Sequence, residues 1–217
     1  MVKIRRRPRP RRRRVIMMDR GHKKPESAKR EVFIALGSNL GSRRKNIVKA
    51  LEELKRISPQ KSNVGATRKA IEVKEVSSFY LTRPLKGSSG GNYINAVARI
   101  FTTLGPMDLL RNLKQVEKKL GRTESSRWGA PRPIDIDIIF YEGRVIVRKD
   151  VPLPPLLLLE VPHPAMCKRD FVLEGLLEIA PDKVHPVLKK TVKEIYEDFR
   201  SSRDGKEKTI IKRLRQN

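Results

Sequence analysis

Between Arg127 and Tyr141 the chain reads R-W-G-A-P-R-P-I-D-I-D-I-I-F-Y. Asp135 and Asp137 alternate with Ile134, Ile136 and Ile138, the period of a strand with one buried face. Residues two apart on a strand point the same way, roughly 7 Å apart. Two carboxylates held side by side repel unless a cation lies between them. Arg127 and Arg132 stand just upstream, with Trp128 between them and Gly129, Pro131 and Pro133 shaping the loop. An acid pair beside arginines is what a site for Mg²⁺ and phosphates requires. On the motif alone, a solvent-facing D-x-D on an edge strand is an equally good reading.

Other residues have chemistry to offer. Tyr93 and Asn95 share one face of a second alternating stretch, N-Y-I-N-A-V-A-R-I-F-T. An aromatic ring to stack and an amide that both donates and accepts can hold a flat heterocycle, although structural filling explains the pair as well. Gly37-Ser38-Asn39-Leu40-Gly41 follows an apolar run, and a strand–glycine–helix turn can cradle phosphate. Alone it reads more simply as a tight turn. Cys167, the one cysteine, excludes an internal disulfide and fits a reducing compartment.

These side chains need a frame. Val32 to Leu36 predicts a buried strand, and a helix follows from about Ser42 with Ile47, Val48, Leu51 and Leu54 on one face. Ala70 to Tyr80 alternates as a strand. A glycine-serine loop from Thr82 to Gly91 leads into the Asn92–Thr102 strand, antiparallel to it. Gly105-Pro106 opens a helix to about Leu120, and Glu117 and Arg122 lie at its end. The Asp135/Asp137 strand comes next, then a short strand at Val145 to Val147 and a Pro/Leu-rich loop over 148–160. Helices at Glu174 to Ile179 and from about Thr191 to Phe199 close the pattern. The order β-α-β-β-α-β predicts an α+β ferredoxin-like sandwich, an antiparallel sheet with helices packed on it, plus C-terminal helices.

The charge divides the chain. The net +26 splits into +12 over residues 1–30, +9 over 31–199 and +5 over 200–217. Residues 1–30 contain R-R-R-P-R-P-R-R-R-R and little to bury, which predicts a basic disordered tail. Such a tail would touch nucleic acid without sequence preference; a targeting role, or a later start at Met17 or Met18, reads equally well. The expected domain is 31–199, with a second basic tail over 200–217. No apolar run is long enough to span a membrane, and a cytoplasmic location is expected.

Several motifs occur in a fixed order: G-S-N-L-G (37–41), V-S-S-F-Y-x-T (76–82), N-Y-I-N-A-V (92–97), E-x-x-x-G-R (117–122), R-W-G-x-P-R-x-I-D-I-D-I (127–138), V-P-H-P-x-M-x-x-R-x-F-V-L (161–173) and E-I-A-P (178–181). Together they resemble the 6-hydroxymethyl-7,8-dihydropterin pyrophosphokinase family of folate biosynthesis. The resemblance implies transfer of the β,γ-pyrophosphoryl unit of ATP to the pterin hydroxymethyl group, with release of AMP. It implies that Asp135 and Asp137 hold two Mg²⁺ ions and that Arg122, Arg132 and Arg169 neutralise the triphosphate. His163 would meet a phosphate or ribose, and Gln115, Glu117 and Ile138 would border the ATP site. Tyr93 and Phe171 would sandwich the pterin, with Asn95 on its edge and Thr82 and Leu85 completing the pocket. Trp128 would sit on a closing loop over both substrates. The chain departs from the pattern at Arg83, Glu124 and Ala130 and in a longer 148–160 loop. An RNA-binding ferredoxin-like sheet is the competing class, but no basic-aromatic RNA-binding pattern occurs in the strands.

Overall fold

The computed structural model describes residues 28–58, 70–84, 90–123, 129–148, 158–202 and 208–214. The expected nucleic-acid contact of the N-terminal tail, and the expected roles of Leu85 and Trp128, fall outside these residues. Among the described residues no helix is long and apolar enough to cross a membrane.

The chain runs β1 (Arg30–Ser38), α1 (Arg43–Lys55), β2 (Ile71–Val76), β3 (Phe79–Thr82), β4 (Tyr93–Thr102), α2 (Pro106–Lys119) and β5 (Asp135–Tyr141). It continues with β6 (Ile146–Arg148), β7 (Leu159–Val161), α3 (Asp170–Ile179), α4 (Val192–Ser201) and β8 (Ile210–Leu214). The main sheet has the order β5-β1-β4-β3-β8, with β2 also on β4, and its pairs are antiparallel. Strands β6 and β7 form a separate hairpin-like pair. This is the ferredoxin-like α+β arrangement expected from the element order.

The sheet is buried on both faces, which is why β1 reads as a continuous apolar run rather than an alternation. Val32, Ile34 and Leu36 pack with Ile47, Leu51 and Leu54 of α1 and Leu109, Leu113 and Val116 of α2. Phe33 and Val97 pack on the opposite side with Val172, Leu173 and Leu176 of α3 and Val192, Ile195 and Phe199 of α4. A Cβ on Gly175 of α3 would stand 2.6 Å from Val97 Cγ2, so α3 lies very close on β4. Helix α4 starts at a capping box: Thr191 Oγ1 accepts from Glu194 N, and the Glu194 carboxylate accepts from Thr191 N.

Four features differ from the sequence expectation, one of them β7, whose Leu159 and Glu160 fall in the expected 148–160 loop and which pairs with β6. The expected single strand over Ala70 to Tyr80 is two: Ser77 N still donates to Val97 O, but the Ser77 hydroxyl accepts the return bond from Val97 N, and the Glu178 carboxylate accepts from Ser78 N. Helix α3 begins at Asp170, four residues before the expected Glu174. The segment expected as a C-terminal tail over 200–217 contributes a strand, Ile210–Leu214, which pairs with β3.

Candidate active site

The strand register builds the site. Gly37 of β1 lies opposite Asn95 of β4 on one side and Asp135 of β5 on the other. One step along, Ala35 lies between Val97 and Asp137. The central strand therefore presents two small residues on this face, flanked by an acidic wall and an amide-aromatic wall. Two strand spacings put those walls on the order of 10 Å apart. Ala35 and Gly37 form the floor of an open cleft. Gly37 is needed there: a Cβ would stand 2.7 Å from Asn95 Oδ1.

On the acidic wall, Arg122 and Arg132 both pair with Asp135, Arg132 Nη1 at 3.2 Å. Arg169 Nη1 lies 3.4 Å from Asp137 Oδ2. Burial alone would push the Asp135 carboxyl up, but Lys114, Arg122 and Arg132 outweigh it and hold it below the usual carboxylate range. Among the described residues Arg169 Nε is buried and has no hydrogen-bond partner. His163 Nε2 stands 3.7 Å from Asp137 Oδ2. Its Nδ1 accepts from Ala165 N at 3.1 Å, so in the neutral ring Nε2 carries the proton and faces Asp137. Burial pushes the His163 pKa down, Asp137 opposes this and Arg169 reinforces it; the net shift is downward and favours that neutral ring.

Arg122 is delivered by a helix ending. Gly121, at φ +97°, turns the chain after α2. Arg122 N then donates to Glu117 O at 3.0 Å and Gly121 N to Lys118 O at 3.0 Å, the paired bonds of a Schellman cap. The Glu117 side chain, 1% exposed, accepts from Arg122 Nη1, Lys114 Nζ and Ile136 N, each at 2.7 Å. It clamps α2 to β5 and aims Arg122 at Asp135. Burial raises its pKa, with Lys114 and Arg122 pulling the other way.

The opposite wall holds Tyr93, Asn95, Thr82 and Phe171 around the same cleft. Asn95 Nδ2 donates to Thr82 Oγ1 at 2.8 Å, which turns Asn95 Oδ1 toward Gly37. Phe171 comes from the start of α3, next to Arg169.

Gln115, Glu117, Arg122, Ile138 and His163 do not line the cleft, although Arg122 and His163 stand beside its aspartates. Gln115 is exposed on α2 and does not line the cleft. The helix turns about 100° per residue, so Lys114, three before Glu117, is the one on its face. The Ile138 side chain packs under α1 and α2, on the face opposite the aspartates, so only its backbone could meet a nucleotide. Besides Lys114, sequence reading missed Ala35 and Asn39. The Asn39 Oδ1 accepts from Arg132 N at 2.7 Å, and Asn39 N donates to Arg132 O at 3.3 Å. The G-S-N-L-G turn thus braces the Arg132 loop. Helical spacing could have found Lys114; the Asn39 contact spans 93 residues and leaves no local signal.

Residues 33–181 match the family described as 7,8-dihydro-6-hydroxymethylpterin-pyrophosphokinase. The 2-amino-4-hydroxy-6-hydroxymethyldihydropteridine pyrophosphokinase of Aquifex aeolicus is 39% identical over 163 residues, covering 75% of this chain and 88% of that one. This chain belongs to the pyrophosphokinase family. The Synechocystis enzyme of the same name is 35% identical over 164 residues, 76% of this chain and 73% of its own. The folic acid synthesis protein FOL1 of Dictyostelium discoideum is 38% identical over 157 residues, and the match spans 20% of its length. Among solved structures, wild-type Plasmodium falciparum HPPK-DHPS superposes with a TM-score of 0.63 at 15% identity, covering 85% of this chain and 47% of that one. That likeness concerns the fold alone.

Proposed function

We propose that this pyrophosphokinase-family chain transfers the pyrophosphoryl group of ATP to the hydroxymethyl group of 6-hydroxymethyl-7,8-dihydropterin, and that the cleft over Ala35 and Gly37 is where it does so. The observation that carries the reading is the pairing of two walls in one cleft. Asp135 and Asp137, with Arg132 and Arg169, face Tyr93, Asn95 and Phe171 across two small residues, and Arg122 pairs with Asp135.

The acidic wall fits a hard cation. Mg²⁺ is usually bound through one or two carboxylates plus substrate phosphates rather than by an all-protein cage. Among the described residues no group of three or more His, Cys, Asp or Glu forms such a cage, whereas Asp135 and Asp137 offer two carboxylates at the cleft. They would hold the two Mg²⁺ ions, which supply charge neutralisation on the phosphate oxygens.

The pterin hydroxyl oxygen bonds to the β-phosphorus of ATP and gives up its proton. The bond from that phosphorus to the α,β-bridging oxygen breaks, and AMP leaves with the electron pair on that oxygen. Negative charge spreads over the transferring group. Arg122, Arg132 and Arg169 meet it with forked donors, and His163 Nε2–H adds a further donor. Tyr93 and Phe171 stack the pterin, and Asn95 binds its edge, with Thr82 fixing the amide. Orientation of this kind converts a bimolecular step into an effectively unimolecular one.

The test is product analysis of ATP turnover. AMP should form only when Mg²⁺ and hydroxymethyl-dihydropterin are both present. ADP as product, or AMP release indifferent to the pterin, would refute the proposal.

A further inference from the structure

We propose that β8 is a strap that sets the width of the pterin pocket, fastened by Asp170 as a positioning residue. The inference rests on the reading that Tyr93, Asn95 and Phe171 hold the pterin.

The pocket lies between two elements. The end of β3 supplies Thr82 and Arg83, and the start of α3 supplies Arg169 and Phe171. Thr209, immediately before β8, bonds to both. Its carbonyl accepts from Arg83 N at 2.8 Å. Its own N–H donates to Asp170 Oδ2 at 2.5 Å, and its hydroxyl donates to Asp170 Oδ1. Ile210 N adds a second donor to Asp170 Oδ2 at 2.9 Å. One residue of the C-terminal segment thus links the neighbour of Thr82 to the residue between Arg169 and Phe171.

Asp170 is 4% exposed. A buried carboxylate requires hydrogen-bond donors. Phe171 N supplies one at 2.9 Å, and the other three come from Thr209 and Ile210. Without β8 this carboxylate would lose most of its partners. At its far end the strap is fastened a second time. Arg213 donates to Ser78 Oγ at 2.9 Å and pairs with Glu178 of α3 at 3.1 Å. Only the Thr209 end adjoins the cleft. A ring held between Tyr93 of β4 and Phe171 of α3 loses a quarter to a half of its contact energy when a gap of roughly 0.5–1 Å opens; Thr82 of β3 pairs with Tyr93, so holding β3 to α3 fixes that gap.

The test uses the full chain and measures three quantities by calorimetry and thermal melting. These are Kd for hydroxymethyl-dihydropterin with Mg²⁺ and a non-hydrolysable ATP analogue present, Kd for that analogue alone, and Tm. Thr209→Val, which removes one hydrogen bond to a charged group, should weaken pterin binding about tenfold, and Asp170→Ala, which removes all four, should weaken it at least as much, each with a smaller change for the nucleotide. Thr209→Ser, which keeps the hydroxyl, should restore affinity. Arg213→Ala should lower Tm and leave pterin affinity unchanged. If Thr209→Val and Asp170→Ala lower Tm with pterin affinity intact, the strap is only structural and the proposal fails. Should Asp170→Ala not fold, Thr209→Val against Thr209→Ser decides. Asn95→Ala separates the two readings. If it loses pterin binding while Thr209→Val does not, only the strap is wrong. If it binds pterin normally, the pocket itself is misassigned and the strap falls with it.

Discussion

Asp135 and Asp137 sit two residues apart yet have different company. Asp135 is gripped by Arg122 and Arg132, whereas Asp137 faces Arg169 and His163. Removing one of these preorganised charges should act on the transition state. Arg132→Ala should lower kcat on the order of 10²-fold or more, and Asp137→Ala should abolish turnover; near-normal steady-state rates in either would contradict the assignment. A paired substitution on α2 tests the correction at Gln115. Lys114→Ala removes a partner of Glu117 and a cation near Asp135, and should slow turnover, whereas Gln115→Ala should match wild type. Equal effects would show that the helix face was misread. The aspartates and arginines were legible in the sequence because a period of two and a cluster of arginines are local. Gln115 was misplaced because nearness along a helix is not nearness in space. Ile138 follows the alternation read from the sequence and lies on the buried face with Ile134 and Ile136.

At the scale of elements, the helices and strands that carry long apolar periods fell close to expectation. The exceptions have physical causes. Ser77 and Ser78 interrupt the strand because Ser77 bonds across to β4 and Ser78 bonds to Glu178, contacts made 20 and 100 residues away in sequence. Strand β8, I-I-K-R-L, is short and largely exposed, so it has no buried face to announce it. Its role depends on Asp170, about 40 residues earlier. The contact of α3 with the sheet is open to test. Gly175→Ala would set a methyl 2.6 Å from Val97 Cγ2 and 3.0 Å from its Cβ, a branched side chain with little room to yield. Overpacking costs roughly 1–3 kcal/mol and should exceed the ~1 kcal/mol gained in helix propensity. The variant should unfold at lower urea; a higher midpoint would mean that α3 can lift away freely.

Over the whole molecule, the two faces of the sheet divide the work. The α1/α2 face is packed throughout, and the α3/α4 face is left open where Ala35 and Gly37 make the floor. Away from the cleft, His185 stacks edge-on to Phe140, and its Nδ1 accepts from Val187 N and Leu188 N. Burial pushes its pKa down, so the folded protein favours the neutral ring. The unfolded chain then binds the proton more readily, and this contribution is complete above the unfolded value of about 6.5 and lost as pH falls below it. The stability difference between wild type and His185→Phe should therefore shrink between pH 7 and pH 5, measured by urea unfolding; a constant difference would exclude the link. The central claim is that one cleft holds a metal-bound triphosphate against one wall and a pterin against the other. A crystal structure with Mg²⁺, a non-hydrolysable ATP analogue and hydroxymethyl-dihydropterin tests it most directly. The expected result is cations between the phosphates and Asp135 and Asp137, with the pterin ring between Tyr93 and Phe171. Phosphates bound elsewhere, or cations that bypass both aspartates, would contradict it.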